Sequence, residues 1–264
     1  MSNKAISDEM VSIIMPSYNC GKYVEETIRS VQAQTYQNWE ILFVDDCSTD
    51  DTIRIVSEMK DKDERIHLYQ NVTNCGAAVS RNIALKAAKG RWIAFLDSDD
   101  LWEPEKLEKQ IRFMEAHNYS FSYTETVHID EDSKLLGRYV TGPECVTNSL
   151  LHWYCWMGCL TVMYDKNVIG LIQIEDLKKN NDYAIWLKVV KKANCYLLKE
   201  RLARYRERSG SISSSKPLIL LKWHYWLYRK GEKNSILSSC VYTVMNIIGS
   251  FVKKKIYTKE FANY

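Results

Sequence analysis

The chain has 264 residues, 46% hydrophobic and 26% charged, a balance that lets it bury a sizeable core and excludes a disordered chain; the length suits one large α/β domain or a domain plus an appendage. The net charge of +3 is unevenly placed: nine Lys/Arg stand against two acids from Lys216 to Tyr264, which leaves the first 215 residues at −4 and argues against a nucleic-acid-binding body. Eight scattered cysteines include no CxxC pair, and Cys155 and Cys159 have no partnering His pair, so free thiols in a reducing compartment are expected rather than a zinc site.

"MSNKAISDEMVSII" carries no long apolar run, so no signal peptide is expected. "VSIIMP" reads as a short buried strand stopped by Pro16. Residues 22 to 34 place Val24, Ile28 and Val31 at helical spacing. "WEILFV" is a second strand and ends at Asp45–Asp46. "STDDTIRIVSEM" starts a helix with Ser48 as the expected N-cap and Asp51 three residues on. "RIHLY" is a third strand, and "GAAVSRNIALKAAKG" a helix closed by Gly90 at C′. "WIAFL" is a fourth strand, after which Glu103–Pro104 opens a helix with Pro at N1. Beyond residue 120 the pattern loosens. "SFSYTETVHI" and "CLTVMY" read as strands, "DYAIWLKVVKK" as an amphipathic helix, and residues 218 to 230 as an aromatic-rich helix. From Ile236 an apolar stripe at helical spacing runs into Lys253–Lys255. No internal repeat or low-complexity segment is present.

Alternating strands and helices with short links predict a mostly parallel sheet covered on both faces. In such sheets ligands sit beyond the carboxyl ends of the strands. Three loaded segments then meet at one edge: Pro16–Asn19, Asp45–Asp46 and Asp97–Asp100. In "RWIAFLDSDDLW" an apolar strand ends in three carboxylates within four residues. They cannot all be ionised, close and dry without a countercharge. Helix capping by Asp99 or Asp100 is one explanation. The other is a hard cation, Mg²⁺ or Mn²⁺, held by one or two carboxylates and completed by substrate phosphate and water. Neither GxGxxG nor a Walker A motif occurs. A strand followed by Asp-x-Asp also looks like the nucleophile motif of haloacid-dehalogenase-type phosphatases, which would make Asp97 the nucleophile. That family expects Thr or Val two residues after the second Asp and the motif early in the chain; here Leu101 follows a third Asp, and three strand units come first.

"VSIIMPSYNCGKYVEETIRSVQAQTYQNWEILFVDDCSTDDT", "NCGAAVSRNIALKAAKGRWIAFLDSDDLW" and "NNDYAIWLKV", in that order, resemble a family 2 glycosyltransferase of the GT-A type. The likeness covers residues 9 to 215 and is greatest to bacterial enzymes that add a hexose to a lipid-diphosphate-linked amino sugar in O-antigen or capsule assembly. It implies a GT-A α/β catalytic domain over 1–215, with a nucleotide-binding half over 9–118 and an acceptor half over 119–215, followed by a helical extension over 216–264. It also implies that Pro16, Tyr18 and Asn19 line the base and ribose of a UDP-sugar, with Asp46 accepting from uracil N3–H. Asp97 and Asp99 become the Asp-x-Asp pair at ribose and metal, with Asp100 a further candidate ligand, and Arg81 braces the carboxylate loop. Asp182 becomes the base of an inverting transfer. Many relatives carry Glu where this chain has Asn181, which concentrates the base on Asp182. Helix capping by Asp182 and a core position for Trp186 are the plainer expectations. "YRERSGSISSSK" places Arg206 and Arg208 before a Gly-Ser loop that could fold over the donor diphosphate; a solvated linker is the alternative. The tail helix is expected to lie in the inner leaflet with its lysines on lipid phosphates, at the cytoplasmic face of the inner membrane. Its alternatives are docking on the catalytic domain or on a second copy in a homodimer. A lipid-linked acceptor makes membrane contact useful. A catalytically silent nucleotide- or glycan-binding protein is the third class, and it would more naturally have lost a carboxylate.

Overall fold

A computed structural model describes residues 7–208 and 217–261. The first half alternates as expected: β1 (Val11–Ser17), α1 (Val24–Gln32), β2 (Trp39–Asp45), α2 (Thr52–Lys60), β3 (Ile66–Gln70), α3 (Ala77–Ala87) and β4 (Trp92–Phe95). These strands pair in parallel in the order β3-β2-β1-β4. Every residue of β1, β2 and β4 is buried. Alternate side chains feed two cores. Ile14, Leu42, Ile93 and Phe95 pack with Ala84 and Leu85 of α3 on one face, and Ile13, Met15, Ile41 and Phe43 pack with Val24 and Ile28 of α1 on the other. Burial on both faces is why these strands read as unbroken apolar runs.

The chain continues through β5 (Leu101–Trp102), α4 (Lys106–His117), β6 (Phe121–Ile129), β7 (Leu135–Val140), β8 (Cys145–Val146), α5 (Asn148–Trp153), β9 (Met163–Asp165), α6 (Lys166–Ile169), α7 (Asn181–Val190) and β10 (Cys195–Arg206). Here the sheet departs from the expected parallel pattern. β9 runs antiparallel between β4 and β6, and β7 runs antiparallel to β6. For β7 the reason is local: Asp130 N–H donates to Lys134 O in the turn joining β6 to β7, and so short a link cannot return a strand in parallel. β10 runs parallel to β6 but antiparallel to β5 and β8, with two register shifts along β6. The result is a mixed α/β sheet.

The tail forms α8 (Pro217–Trp226), α9 (Ile236–Val252) and β11 (Thr258–Glu260), the last paired antiparallel to β7. The boundary expected at residue 215 falls outside the described residues.

Four local expectations are corrected. Ser48 does not cap α2; Asp50 Oδ1 instead accepts from Thr52 N–H at 3.0 Å, while Ser48 bonds Asp45. Gly90 is not a helix terminator, because α3 ends at Ala87. Its glycine is required by crowding: a Cβ there would meet Met10 O at 2.5 Å and Ser12 N at 2.7 Å. Pro104 precedes α4, which begins at Lys106. "CLTVMY" is a single 3₁₀ turn at Cys159–Thr161 before β9 begins at Met163.

Candidate active site

The site forms where the parallel strands end. After β1, Asn19 adopts φ 50°, a left-handed conformation that Asn tolerates. Its amide oxygen accepts from Thr49 N–H at 2.8 Å, and its own N–H donates to Ser48 Oγ at 2.8 Å. This pinned turn leaves the neighbouring Tyr18 48% exposed above the cleft. After β2, the buried Asp46 carboxylate gathers the loop before α3. Oδ1 accepts from Asn71 Nδ2 and Cys75 N–H, both at 2.8 Å, and Oδ2 accepts from Gly76 N–H at 2.7 Å.

After β4, the three carboxylates take three different partners. Asp97 pairs with Arg81 Nη2 at 2.5 Å. Asp99 pairs with Arg208 Nε at 2.6 Å. Asp100, almost wholly buried, accepts Arg206 backbone N–H at 2.8 Å. Burial pushes the Asp99 carboxyl above its usual range; Arg208 pulls against it and Asp97 adds to it. Burial pushes Asp100 well above that range, reinforced by Asp99 and Asp97.

Across the cleft, α7 presents its N-terminus. The Oδ1 of Asp182 accepts its neighbour Tyr183's N–H at 2.8 Å. Burial raises the Asp182 carboxyl above the ordinary Asp value, Arg81 opposing and Asp97 adding. The buried Arg81 joins the two sides: it donates to Asp97 through Nη2 and to Asn181 Oδ1 through Nη1. Asn181 therefore acts as a brace for the guanidinium. Trp186 is a core residue, wholly buried and edge-on to Phe95 with ring centroids 4.7 Å apart.

One cleft of about 670 Å³ is lined by Pro16, Tyr18, Asn19, Asp46, Arg81, Asp97, Asp99, Asp100, Asp182 and Arg208. Of the residues singled out in the sequence for a site, Arg206 alone is placed elsewhere. Its side chain has 0% exposure. Its Nε donates to Asp99 O at 2.7 Å, Nη1 to Ser133 Oγ at 2.9 Å, and Nη2 to Glu26 Oε2 at 2.7 Å. A guanidinium spent in this way cannot reach a diphosphate, so Arg206 supports the carboxylate loop from beneath. The Gly-Ser segment expected to close over the donor lies at 209–216, outside the described residues. Sequence reading missed Lys178, Lys179, Tyr205 and Leu220 on the cleft wall. The adjacent lysines just before α7 were the available signal.

Among the described residues no three His, Cys, Asp or Glu side chains converge as a ready metal cage. Asp97 and Asp99 nonetheless stand partly exposed on the wall. Mg²⁺ and Mn²⁺ ordinarily take one or two carboxylates and fill their remaining positions with phosphate and water, and this pair fits that requirement.

Residues 12–154 match the family model for Glycosyl transferase family 2. TuaG of Bacillus subtilis, named for teichuronic acid biosynthesis, is 42% identical over 225 residues, covering 85% of this chain and 89% of its own. WfaP of Escherichia coli, a UDP-Glc:alpha-D-GlcNAc-diphosphoundecaprenol beta-1,3-glucosyltransferase, is 41% identical over 213 residues, covering 79% of this chain and 81% of its own. Among solved structures, residues 1–349 of TarS from S. aureus in complex with UDP-GlcNAc superpose with a TM-score of 0.68 at 24% identity, over 92% of this chain and 72% of that one; the likeness is one of fold.

Proposed function

The chain belongs to glycosyl transferase family 2 and is a glycosyltransferase; on that premise we propose that it is an inverting enzyme moving glucose or galactose from a UDP-sugar to a GlcNAc or GalNAc carried on a polyprenyl diphosphate. The phosphatase reading of Asp97 and the silent-binder reading give way to this family. The product belongs to O-antigen or capsule assembly at the cytoplasmic face of the inner membrane. The observation that carries the proposal is the single cleft with donor-side carboxylates on one wall and Asp182 on the other, bridged by Arg81.

Tyr18 stacks on uracil. Asp46 Oδ2 has one N–H donor and keeps a lone pair for the uracil N3–H. Arg208 turns from Asp99 to the diphosphate, where its fork offers paired hydrogen bonds. Asp97 and Asp99 would hold a divalent cation, Mg²⁺ or Mn²⁺, which when bound supplies Lewis-acid neutralisation of the departing UDP. Asp182 takes the acceptor hydroxyl's proton as its oxygen forms the new bond to the anomeric carbon. The bond from that carbon to the diphosphate oxygen breaks, its electron pair leaves with UDP, and attack from the opposite face turns an α-linked donor into a β-linked product. WfaP carries out a beta-1,3 glucosyl transfer of this kind, which supports glucose as the first donor to assay.

The test is a panel of nucleotide sugars offered with manganese and a synthetic lipid-diphosphate amino sugar. Release of UDP coupled to a β-linked disaccharide from one UDP-hexose is expected. Transfer from none of the UDP-hexoses would overturn the reading.

A further inference from the structure

Helix α9 is amphipathic in the inverted sense. The fully buried positions of the face turned to the protein are polar or small, Ser239, Thr243, Asn246 and Gly249, flanked by Tyr242 and Val252 half-buried against the core. Asn246 Nδ2 donates to the hydroxyls of Tyr183 at 3.1 Å and Tyr228 at 3.2 Å. At Gly249 a Cβ would meet Tyr154 Cβ at 2.5 Å, so the backbone lies directly on that ring's base. The opposite face is apolar and open: Leu237 is 76% exposed and Phe251 69%, with Val244 and Ile248 between them at about half exposure. Polar residues thus anchor the helix while its hydrophobic row points away from the core. An apolar row of this length on one face marks an interaction surface rather than scattered exposure.

We infer that this row is a membrane-docking surface that lays α9 flat in the interface of an anionic bilayer. By length and composition Ile236–Tyr257 could cross a membrane. Its two ends argue for the in-plane arrangement: Ser235 caps the first turn, accepting from Ser238 N–H at 3.1 Å, and β11 returns the chain to the edge of β7. A helix held along its polar face and latched to the sheet lies on the protein surface. The charge pattern selects the occupant. The row runs into the exposed Lys254 and Lys255, which lie in the π-helical turn Lys253–Tyr257 that continues α9. Apolar side chains reaching the acyl boundary with lysines at headgroup level match an anionic lipid surface. A protein partner would have to bury those ammonium groups. The inner face of α9 reaches toward the cleft: Asn246 meets Tyr183, the residue after Asp182, and the neighbouring α8 contributes Leu220 to the cleft wall and meets Asn180 through His224 at 3.3 Å. Any bearing of this on catalysis rests on the proposed lipid-linked acceptor; the docking surface itself does not.

The test uses the full chain with vesicles of phosphatidylglycerol and phosphatidylethanolamine, against phosphatidylcholine vesicles. Sedimentation with the anionic vesicles is expected. The variant L237E/V244E/F251E should bind them at least tenfold more weakly, and K254A/K255A should lose the preference for anionic lipid. All five side chains are solvent-facing and none of them lines the cleft. UDP calorimetry and transfer to a water-soluble acceptor should be unchanged in both variants, which separates failure of docking from failure of the catalytic assignment. Wild-type protein left in the supernatant, a triple variant that binds as wild type, or a wild-type dimer that the triple substitution renders monomeric would each overturn the inference.

Discussion

At the level of single residues, the carboxylate on α7 carries the sharpest expectation. Asp182→Asn should leave UDP binding intact and reduce transfer by about 10²–10⁴-fold, the range for loss of a positioned base; calorimetry and a transfer assay check the two halves. Burial raises the Asp182 pKa, so the carboxyl stays protonated to higher pH than an ordinary Asp. A base works only when deprotonated. The rate should therefore climb as pH rises through that elevated value, and a kcat/KM profile flat down to the ordinary Asp range would contradict the assignment. The two arginines at the end of β10 should separate. Arg206→Ala leaves Asp99 O and Ser133 Oγ without their buried donor, while its partner Glu26 is half exposed, and should cost about 1–3 kcal/mol in chemical denaturation. Arg208→Ala should weaken UDP binding with little change in stability. The sequence could not distinguish the pair. Arg206 is the last residue of the strand and Arg208 lies beyond it, so strand alternation says nothing of their relative directions. Asp46, Asp97 and Asp99 were legible because each follows an apolar run whose end position in a parallel sheet is fixed by topology. Asn181 was not, since its partner Arg81 lies far away in the chain and only the fold brings them together.

At the level of elements, β1, β2, β4 and α7 were legible because burial writes a strong pattern. Helix starts were not, because side chains outside the expected motif decide them, as Asp50 does at α2. The strands β5 and β8 have two residues each and carry no period to read. Two glycines give element-scale tests. Gly90→Ala drives a Cβ into the backbone of residues 10 and 12, which cannot move aside as a side-chain tip would. A loss of about 1–3 kcal/mol in urea unfolding is expected, as for other overpacked positions. Gly249→Val should lift α9 from Tyr154, lowering the melting temperature while UDP affinity in calorimetry is retained.

At the level of the whole molecule, the unequal division of charge between the first 215 residues and the tail was readable directly, and it falls on the segment that carries α9. Which face of that helix turns outward was not readable, because helical periodicity gives a stripe without saying whether the stripe meets the core. Ligand binding should register globally: UDP at about 100 times its Kd should add about 2.7 kcal/mol to stability, seen as a higher melting temperature that Asp182→Asn preserves. The pairing of β11 with β7 has a further consequence. Thr258–Glu260 is a three-residue edge strand, largely solvent-facing, and it fastens a helix whose fully buried residues are polar or small rather than large and apolar. Such a unit opens on its own at a fraction of the global unfolding energy. Amide protons of residues 236–260 should therefore exchange with deuterium well before those of β1 and β2, and the slow-exchanging heart of the protein should coincide with the parallel strands whose ends form the cleft.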